Sequence, residues 1–276
     1  MKICEICPHH CRLETGEVGK CRARINDGEK ITALNYGEIT SIALDPIEKK
    51  PLYRFFPGSW ILSVGSYGCN LNCPFCQNYE IAAARETDFQ REQVCEVSPE
   101  QLCKIAEEER KRGNIGVAFT YNEALTGYEY VRDTARLVHE AGMLNVLVTN
   151  GSVKEWVLDE VSPYMDAMNI DLKGFTQRAY DHVGGDLEQT KAFIARAARS
   201  CHVELTSLIV PTINDRTEEM AGIEGDRAEL QAVRRSEGKN APGEHFERVS
   251  VVAMRRPQHN KIGNVHLKWA FSEGAV

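Results

Sequence analysis

The chain has 276 residues, 33 of them basic and 40 acidic, for a net charge of −7. That balance, with no basic stripe along the chain, excludes a general nucleic-acid binder and a membrane-surface protein. The first residues lack the apolar core of a signal peptide and no apolar run approaches the roughly 20 residues that span a bilayer, so a cytoplasmic location is expected.

Seven of the ten cysteines fall in two tight groups, a distribution that metal ligation explains better than disulfides in a chain of this size. The first group is Cys4, Cys7, Cys11 and Cys21, with Pro8-His9-His10 inside it. Its gaps do not match the bacterial ferredoxin spacing, yet the first two suit zinc or an auxiliary cluster. A structural zinc-like site is expected in preference to an electron relay. Lys30 to Leu44 alternates around Tyr36-Gly37, which predicts a hairpin. Asp45 to Gly58 holds Pro46, Pro51 and Pro57, the composition of an ordered connection lying over the next domain rather than of a helix. Residues 1–58 therefore read as a small N-terminal cysteine-rich cap.

From residue 60 onward, β-branched apolar runs alternate with capped helical segments, the pattern of repeated βα units around a parallel sheet. Strands are predicted over Trp60 to Ser66, Ile115 to Thr120, Leu144 to Thr149, Ala167 to Asp171 and Val203 to Val210. Ser98-Pro99-Glu100-Gln101 offers a capping box for the first long helix, and Gly113 closes its far end. Thr126 with Glu129, and Ser152 with Glu155, repeat the capping-box spacing. The charge run Glu107 to Arg112 reads as a solvated helical face. Cys95, Cys103 and Cys201 are isolated and read as buried small apolar side chains.

The second cysteine group, Cys69, Cys73 and Cys76, follows the first of these strands. Three thiolates at this spacing can hold three irons of a [4Fe-4S] cube and leave the fourth iron open to a substrate or cofactor. A zinc ion would need a fourth ligand from afar, since the nearest histidines are His9, His10 and His139. In a βα barrel the carboxyl ends of successive strands converge on one mouth. That places the cysteine loop, Thr120 to Glu123, Thr149 to Gly151, and Asp171 with Lys173 together there. Residues 59–222 form this core. Residues 223–276 are a divergent tail, in which Val249 to Met254 is a substitute strand by its alternation or part of a disordered segment.

Cys-x3-Cys-x2-Cys, with Phe75 just before the third cysteine, resembles the signature of the radical S-adenosylmethionine (radical SAM) enzymes. More narrowly, the chain resembles the radical SAM member of the AmmeMemoRadiSam system, a relative of the pyruvate formate-lyase activating enzymes. The phrases CEICPHHCRL at Cys4, GEVGKCRAR at Gly16, LDPIEKKPLYRFFPGS at Leu44, SVGSYGCNLNCPFCQN at Ser63, TYNEALT at Thr120, VTNG at Val148 and NIDLKGF at Asn169 carry the likeness. The resemblance implies an α/β fold, a partial (β/α)6-type barrel whose last unit is here in doubt, because the phrase that family members carry on their last strand is missing after about Met220. It also implies a [4Fe-4S] cluster on Cys69, Cys73 and Cys76, and S-adenosylmethionine whose cleavage yields a 5′-deoxyadenosyl radical for hydrogen abstraction.

By the same resemblance, Phe75 sits against the adenine, Glu123 accepts from the methionyl ammonium, and Asn150 with Gly151 brings backbone near the ribose. Lys173 neutralises the cofactor carboxylate, and Asp171 pairs with that lysine or holds a monovalent cation. Tyr121-Asn122 stands where the family has a double glycine. The partners implied are a flavodoxin or ferredoxin as electron donor, and either AmmeMemoRadiSam proteins or a glycyl-radical protein. An alternative of another class is a catalytically impaired metal-binding interaction protein with a truncated barrel.

Overall fold

In the computed structural model the described residues are 1–84, 93–216, 219 and the backbone of 250–255. Seven strands form the central sheet: β1 (Ser41–Pro46), β2 (Trp60–Gly65), β3 (Asn114–Phe119), β4 (Leu144–Thr149), β5 (Ala167–Asp171), β6 (His202–Ile209) and β7 (Ser250–Arg255). Their order in the sheet is their order in the chain. β1 pairs antiparallel to β2, and every later neighbour is parallel, giving six parallel strands in an α/β partial barrel. The five strands expected from residue 60 onward form within two residues of the predicted bounds. β7 takes the substitute-strand reading of the tail and pairs Ser250 to Arg255 with Glu204 to Ile209 of β6. The rest of the expected tail, 223–249 and 256–276, lies outside the described residues.

Helices α1 (Pro99–Glu108), α2 (Tyr128–Glu140), α3 (Glu155–Val161), α4 (Gln177–Asp181) and α5 (Leu187–Ala197) follow the strands. Side chains on a strand alternate between faces, so Leu62, Val64, Val117, Phe119, Leu147, Met168, Ile170, Val203 and Leu205 turn outward into the main core with the helices. The opposite face carries Ile61, Ala118, Val146 and Ala167, which pack with Ile47, Leu52 and Phe55 of the proline-rich connection. That connection covers the inner face as expected, after one 3-10 turn at Ile47–Lys49. None of the helices among the described residues is long and apolar enough to cross a membrane.

Ser98 caps α1 in a full capping box with Gln101, and Gly113, in the left-handed region at φ 90°, ends the 3-10 turn that follows. The other two predicted boxes do not form. α2 starts at Tyr128 behind Gly127, and the Thr126 hydroxyl donates to the Glu123 carbonyl instead of capping. Glu129 is drawn away by the buried Arg24, 2.6 Å distant. α3 starts behind Lys154, while Ser152 is held by Asn150 and Asn70.

The hairpin expected within Lys30 to Leu44 is also not made. Ile31–Ala33 pairs back to Arg24–Asn26, Glu38–Ile39 pairs with Cys95–Glu96, and Ser41–Pro46 joins the main sheet. Gly37, at φ 77°, does turn the chain, but the arms it separates find better partners elsewhere. Cys103 and Cys201 are buried as expected, whereas Cys95 is exposed on that short edge pair.

Asn114 shows how the sheet manages an irregularity. The β2–β3 register shifts between Trp60 and Leu62, and the buried Asn114 side chain accepts from the Leu62 and Gly116 amides while donating to the Ala106 carbonyl. Asn114→Ala leaves these buried groups unpaired and should lower unfolding free energy by about 2–3 kcal/mol. Urea denaturation beside Lys111→Ala, an exposed control, measures it; equal midpoints would remove Asn114 from this role.

Candidate functional site

The second cysteine group sits on the loop between β2 and the helical turn Tyr79–Ala82, at the carboxyl end of the parallel strands. Gly68 opens the loop at φ 89°, and a side chain there would run into the Cys21 carbonyl at 2.6 Å and the Ala23 methyl at 2.8 Å. Only glycine lets the loop approach the N-terminal module this closely. The Asn122 side-chain amide donates to the Tyr67 and Gly68 carbonyls, and its oxygen accepts from the Ser66 amide. Asn78, just past Cys76, donates to the Tyr121 carbonyl at 2.7 Å.

Cys69, Cys73 and Cys76 are all free thiols and half-buried on this loop. Burial, with Glu123 nearby, pushes the Cys69 thiol up to about 12. Burial also raises Cys73, against the pull of Lys173. Burial by itself would lower the Lys173 ammonium, but Asp171 and the thiols of Cys73 and Cys69 hold it above its usual value. The ammonium therefore lies within electrostatic reach of the two innermost sulfurs. Lys173 Nζ donates to Asp171 at 2.8 Å, which makes the expected pair at the end of β5. Three free thiols on one loop, two of them raised by burial and near an ammonium, fit a group that binds them as thiolates, each on its own iron.

Glu123 follows β3 and is buried at 2 % exposure. Its carboxylate accepts from the Thr149 hydroxyl at 2.8 Å, the Asn150 amide at 2.7 Å and the Leu125 amide at 3.2 Å. Burial raises its pKa to about 6, with the Asn150 and Thr149 bonds opposing. It therefore ties the β3 loop to the β4 loop, with room for about one more donor on its four lone-pair sites. The Asn150 side-chain nitrogen lies 3.6 Å from Cys69 Sγ and 2.9 Å from Asn70 Oδ1. Gly151, at φ 65°, aims its missing side chain away from the loop, at Ile170, Thr190 and Phe193. Phe75 is half-buried and rests on the edge of the main core.

The structure thus brings Cys69, Cys73, Glu123, Asn150, Asp171 and Lys173 to one mouth, with Cys76 and Phe75 on the same loop. Sequence reasoning missed Asn70, buried between two of the cysteines. It donates to the Ser152 carbonyl, accepts from Asn150, and its carbonyl bonds His9 at 2.7 Å. Two asparagines inside Cys-Asn-Leu-Asn-Cys were the available signal, since a buried loop must satisfy its polar groups internally. It missed as well the buried Asp45, which accepts from Lys50 at 2.8 Å and from the Tyr121 hydroxyl at 2.7 Å.

In the N-terminal module Cys4, Cys7 and Cys21 are buried and Cys11 half-buried. Among the described residues no three or more His, Cys, Asp or Glu side chains are drawn together as a single metal ion requires.

A sequence model of the Radical SAM superfamily matches residues 63–222. An uncharacterized protein of Methanocaldococcus jannaschii is 35% identical over 247 residues, which are 89% of this chain and 69% of that protein. Streptococcus suis SuiB bound to S-adenosylmethionine is similar over 62% of this chain and 40% of its own, at 13% identity and TM-score 0.48. A domain of a pyruvate-formate lyase-activating enzyme from Bacteroides vulgatus is similar over 50% of this chain and 98% of its own, at 15% identity and TM-score 0.39. This chain spans less than half the length of SuiB.

Glu123 should leave a pH signature in the protein without cofactor. Its native pKa of about 6 lies above the ordinary 4.5, so its burial penalty is fully present above pH 6 and is relieved as the native state takes up a proton below it. Stability should fall as pH rises from 4.5 to 6 by this contribution. Glu123→Gln should abolish that slope in urea midpoints taken across the window; an unchanged slope assigns it to another group.

Proposed function

The chain belongs to the radical SAM superfamily, and from that membership we propose that it reductively cleaves S-adenosylmethionine to abstract a hydrogen atom, as an enzyme of the AmmeMemoRadiSam or glycyl-radical-activating type. The observation that carries this reading is the set of three free thiols on one loop, at the mouth that also holds the Lys173–Asp171 pair. Cluster and cofactor, when bound, supply the one-electron cleavage that yields the 5′-deoxyadenosyl radical.

The chain's own residues orient and neutralise. Cys69, Cys73 and Cys76 hold the cluster. Lys173, paired with Asp171, balances anionic charge beside the thiolates, where a charge-assisted contact is about twice as strong as a neutral one. Glu123 keeps the β3 and β4 loops in register and offers its remaining lone pair to the methionyl ammonium. The Asn150 side chain donates toward Cys69 Sγ, and Phe75 offers a flat apolar surface to the adenine.

The N-terminal Cys4 to Cys21 phrase supports the AmmeMemoRadiSam version, with the other proteins of that system as partners. The glycyl-radical version calls for a partner protein bearing the target glycine. Either needs a flavodoxin or ferredoxin as electron donor, and a cytoplasmic setting suits both. The organisation we propose is a cap of residues 1–58, a radical SAM core of 59–222 and a tail of 223–276, with β1 of the first segment and β7 of the last added to the core sheet. One observation favours a second reading, an impaired metal-binding interaction protein: the family match ends at residue 222, so the tail lies beyond it.

Anaerobic reconstitution with iron and sulfide, reduction, and addition of S-adenosylmethionine should release 5′-deoxyadenosine. Cys73→Ala should abolish release, and Lys173→Met should slow it by about 10–100-fold, the loss of one hydrogen bond to a charged group. No release from protein with an assembled cluster would favour the interaction-protein reading.

A further inference from the structure

The four cysteines of the N-terminal module are the largest set of reactive side chains that the proposed reaction leaves unused. All six pairs among Cys4, Cys7, Cys11 and Cys21 are close enough to interact electrostatically, which places the four sulfurs in one neighbourhood. Backbone amides point at them: Ile6 at Cys4, His9 at Cys7, and Ala23 with Arg24 at Cys21. Amide bonds to sulfur stabilise thiolates, and in iron–sulfur sites they are one lever on the reduction potential. Gly19 leaves the space between two of the sulfurs clear, since a side chain there would lie 3.7 Å from Cys11 Sγ and 3.8 Å from Cys21 Sγ.

Spacing separates the two kinds of metal these thiols could hold. A single zinc at ~2.3 Å from each sulfur puts the sulfurs ~3.8 Å apart. The four thiols share one neighbourhood, yet they are not grouped as one ion requires. A polynuclear group, with each thiolate on a different iron, suits that wider arrangement.

The module is also fastened to the catalytic loop. The Cys69 amide donates to the Cys21 carbonyl at 3.0 Å, the Gly68 contact described above leaves no gap between the two segments, and His9 bonds the Asn70 carbonyl. On its other flank the Lys154 amide donates to the Ile6 carbonyl and the Trp156 indole to the Glu5 carbonyl. A ligand of each cysteine group is therefore joined to the other through one backbone hydrogen bond.

We propose that Cys4, Cys7, Cys11 and Cys21 ligate a second [4Fe-4S] cluster, which accepts one electron from an external one-electron carrier and passes it through the Cys21–Cys69 contact to the cluster on Cys69, Cys73 and Cys76. The carrier is oxidised by one electron, the second cluster returns to its starting state, and the first cluster is reduced by one. Ligation at the N-terminus stands independently of the reaction proposed above; the direction of electron flow rests on it.

The test is metal and sulfide analysis of the full chain purified and reconstituted without oxygen, with electron paramagnetic resonance after reduction. Wild type should hold about eight irons and eight sulfides, and the triple variant Cys69→Ala, Cys73→Ala, Cys76→Ala should keep about four of each with a reduced-cluster signal. About four irons plus one zinc in wild type, or no metal beyond the first cluster, would overturn the proposal, and wild-type stoichiometry decides even if the triple variant does not fold. In Cys21→Ala with its first cluster loaded, reduction of that cluster by a reduced ferredoxin should slow at least tenfold; an unchanged rate overturns the relay. Eight irons without release of 5′-deoxyadenosine would defeat the proposed activity alone and leave this site standing.

Discussion

The loop from Ser66 to Cys76 can exist in its observed position only because Gly68 carries no side chain. Its left-handed backbone and its 2.6 Å clearance to the Cys21 carbonyl would forbid any other residue. Everything at the mouth follows from that approach. With Gly68 against the N-terminal module, the Cys69 amide reaches Cys21, the Glu123 amide reaches the Gly68 carbonyl, and the Asn122 side chain spans Ser66 to Gly68. These bonds fix the loop's position from both sides, which is what a site that orients a reactive group demands.

The sheet has two unlike faces. Its outer face is a continuous apolar core under the helices, and that burial stabilises the domain at about 25 cal/mol per Å² of apolar surface. Its inner face is apolar only where Ile47, Leu52 and Phe55 plug it, and elsewhere holds polar groups in bonded pairs. Asp45 takes Lys50 and Tyr121; Glu204, fully buried, takes His202 and the amides of Tyr53 and Arg54. The buried Asn169 amide reaches the Pro51 carbonyl. Buried ion pairs of this kind cost desolvation that Coulomb attraction repays only when every partner is satisfied. Here much of the satisfaction comes from residues 45–54, the end of β1 and the connection after it, which supply Asp45, Lys50 and the amides of Tyr53 and Arg54.

Legibility followed the range of the interactions. The strands from residue 60 onward showed in the sequence because two-residue periodicity and β-branching are local properties. The capping box at Ser98 showed because nothing competes for its side chain. The boxes at Thr126 and Ser152 failed because the neighbouring Glu123 carbonyl takes the Thr126 hydroxyl, the distant Arg24 takes Glu129, and Asn150 with the distant Asn70 holds the Ser152 backbone. The hairpin around Tyr36-Gly37 failed for the same reason: its arms pair with Arg24–Asn26, Cys95–Glu96 and β2. The tail strand β7 could be read as a strand but not placed, since alternation says nothing about which edge will accept it.

What the sequence determined by itself is the chemistry: three thiols at Cys69, Cys73 and Cys76, the carboxylate of Glu123, the Asp171–Lys173 pair and a parallel α/β scaffold to carry them. Spacing sufficed because one loop and one strand end hold each set. Only the tertiary structure decided how those sets meet. It directed Glu123 to Thr149 and Asn150, set Lys173 within electrostatic reach of the sulfurs, buried Asn70 at their centre and brought Cys21 to Cys69. Those contacts join residues about 25 to 100 positions apart, and they depend on backbone carbonyls and a missing methyl group, which a residue pattern does not display.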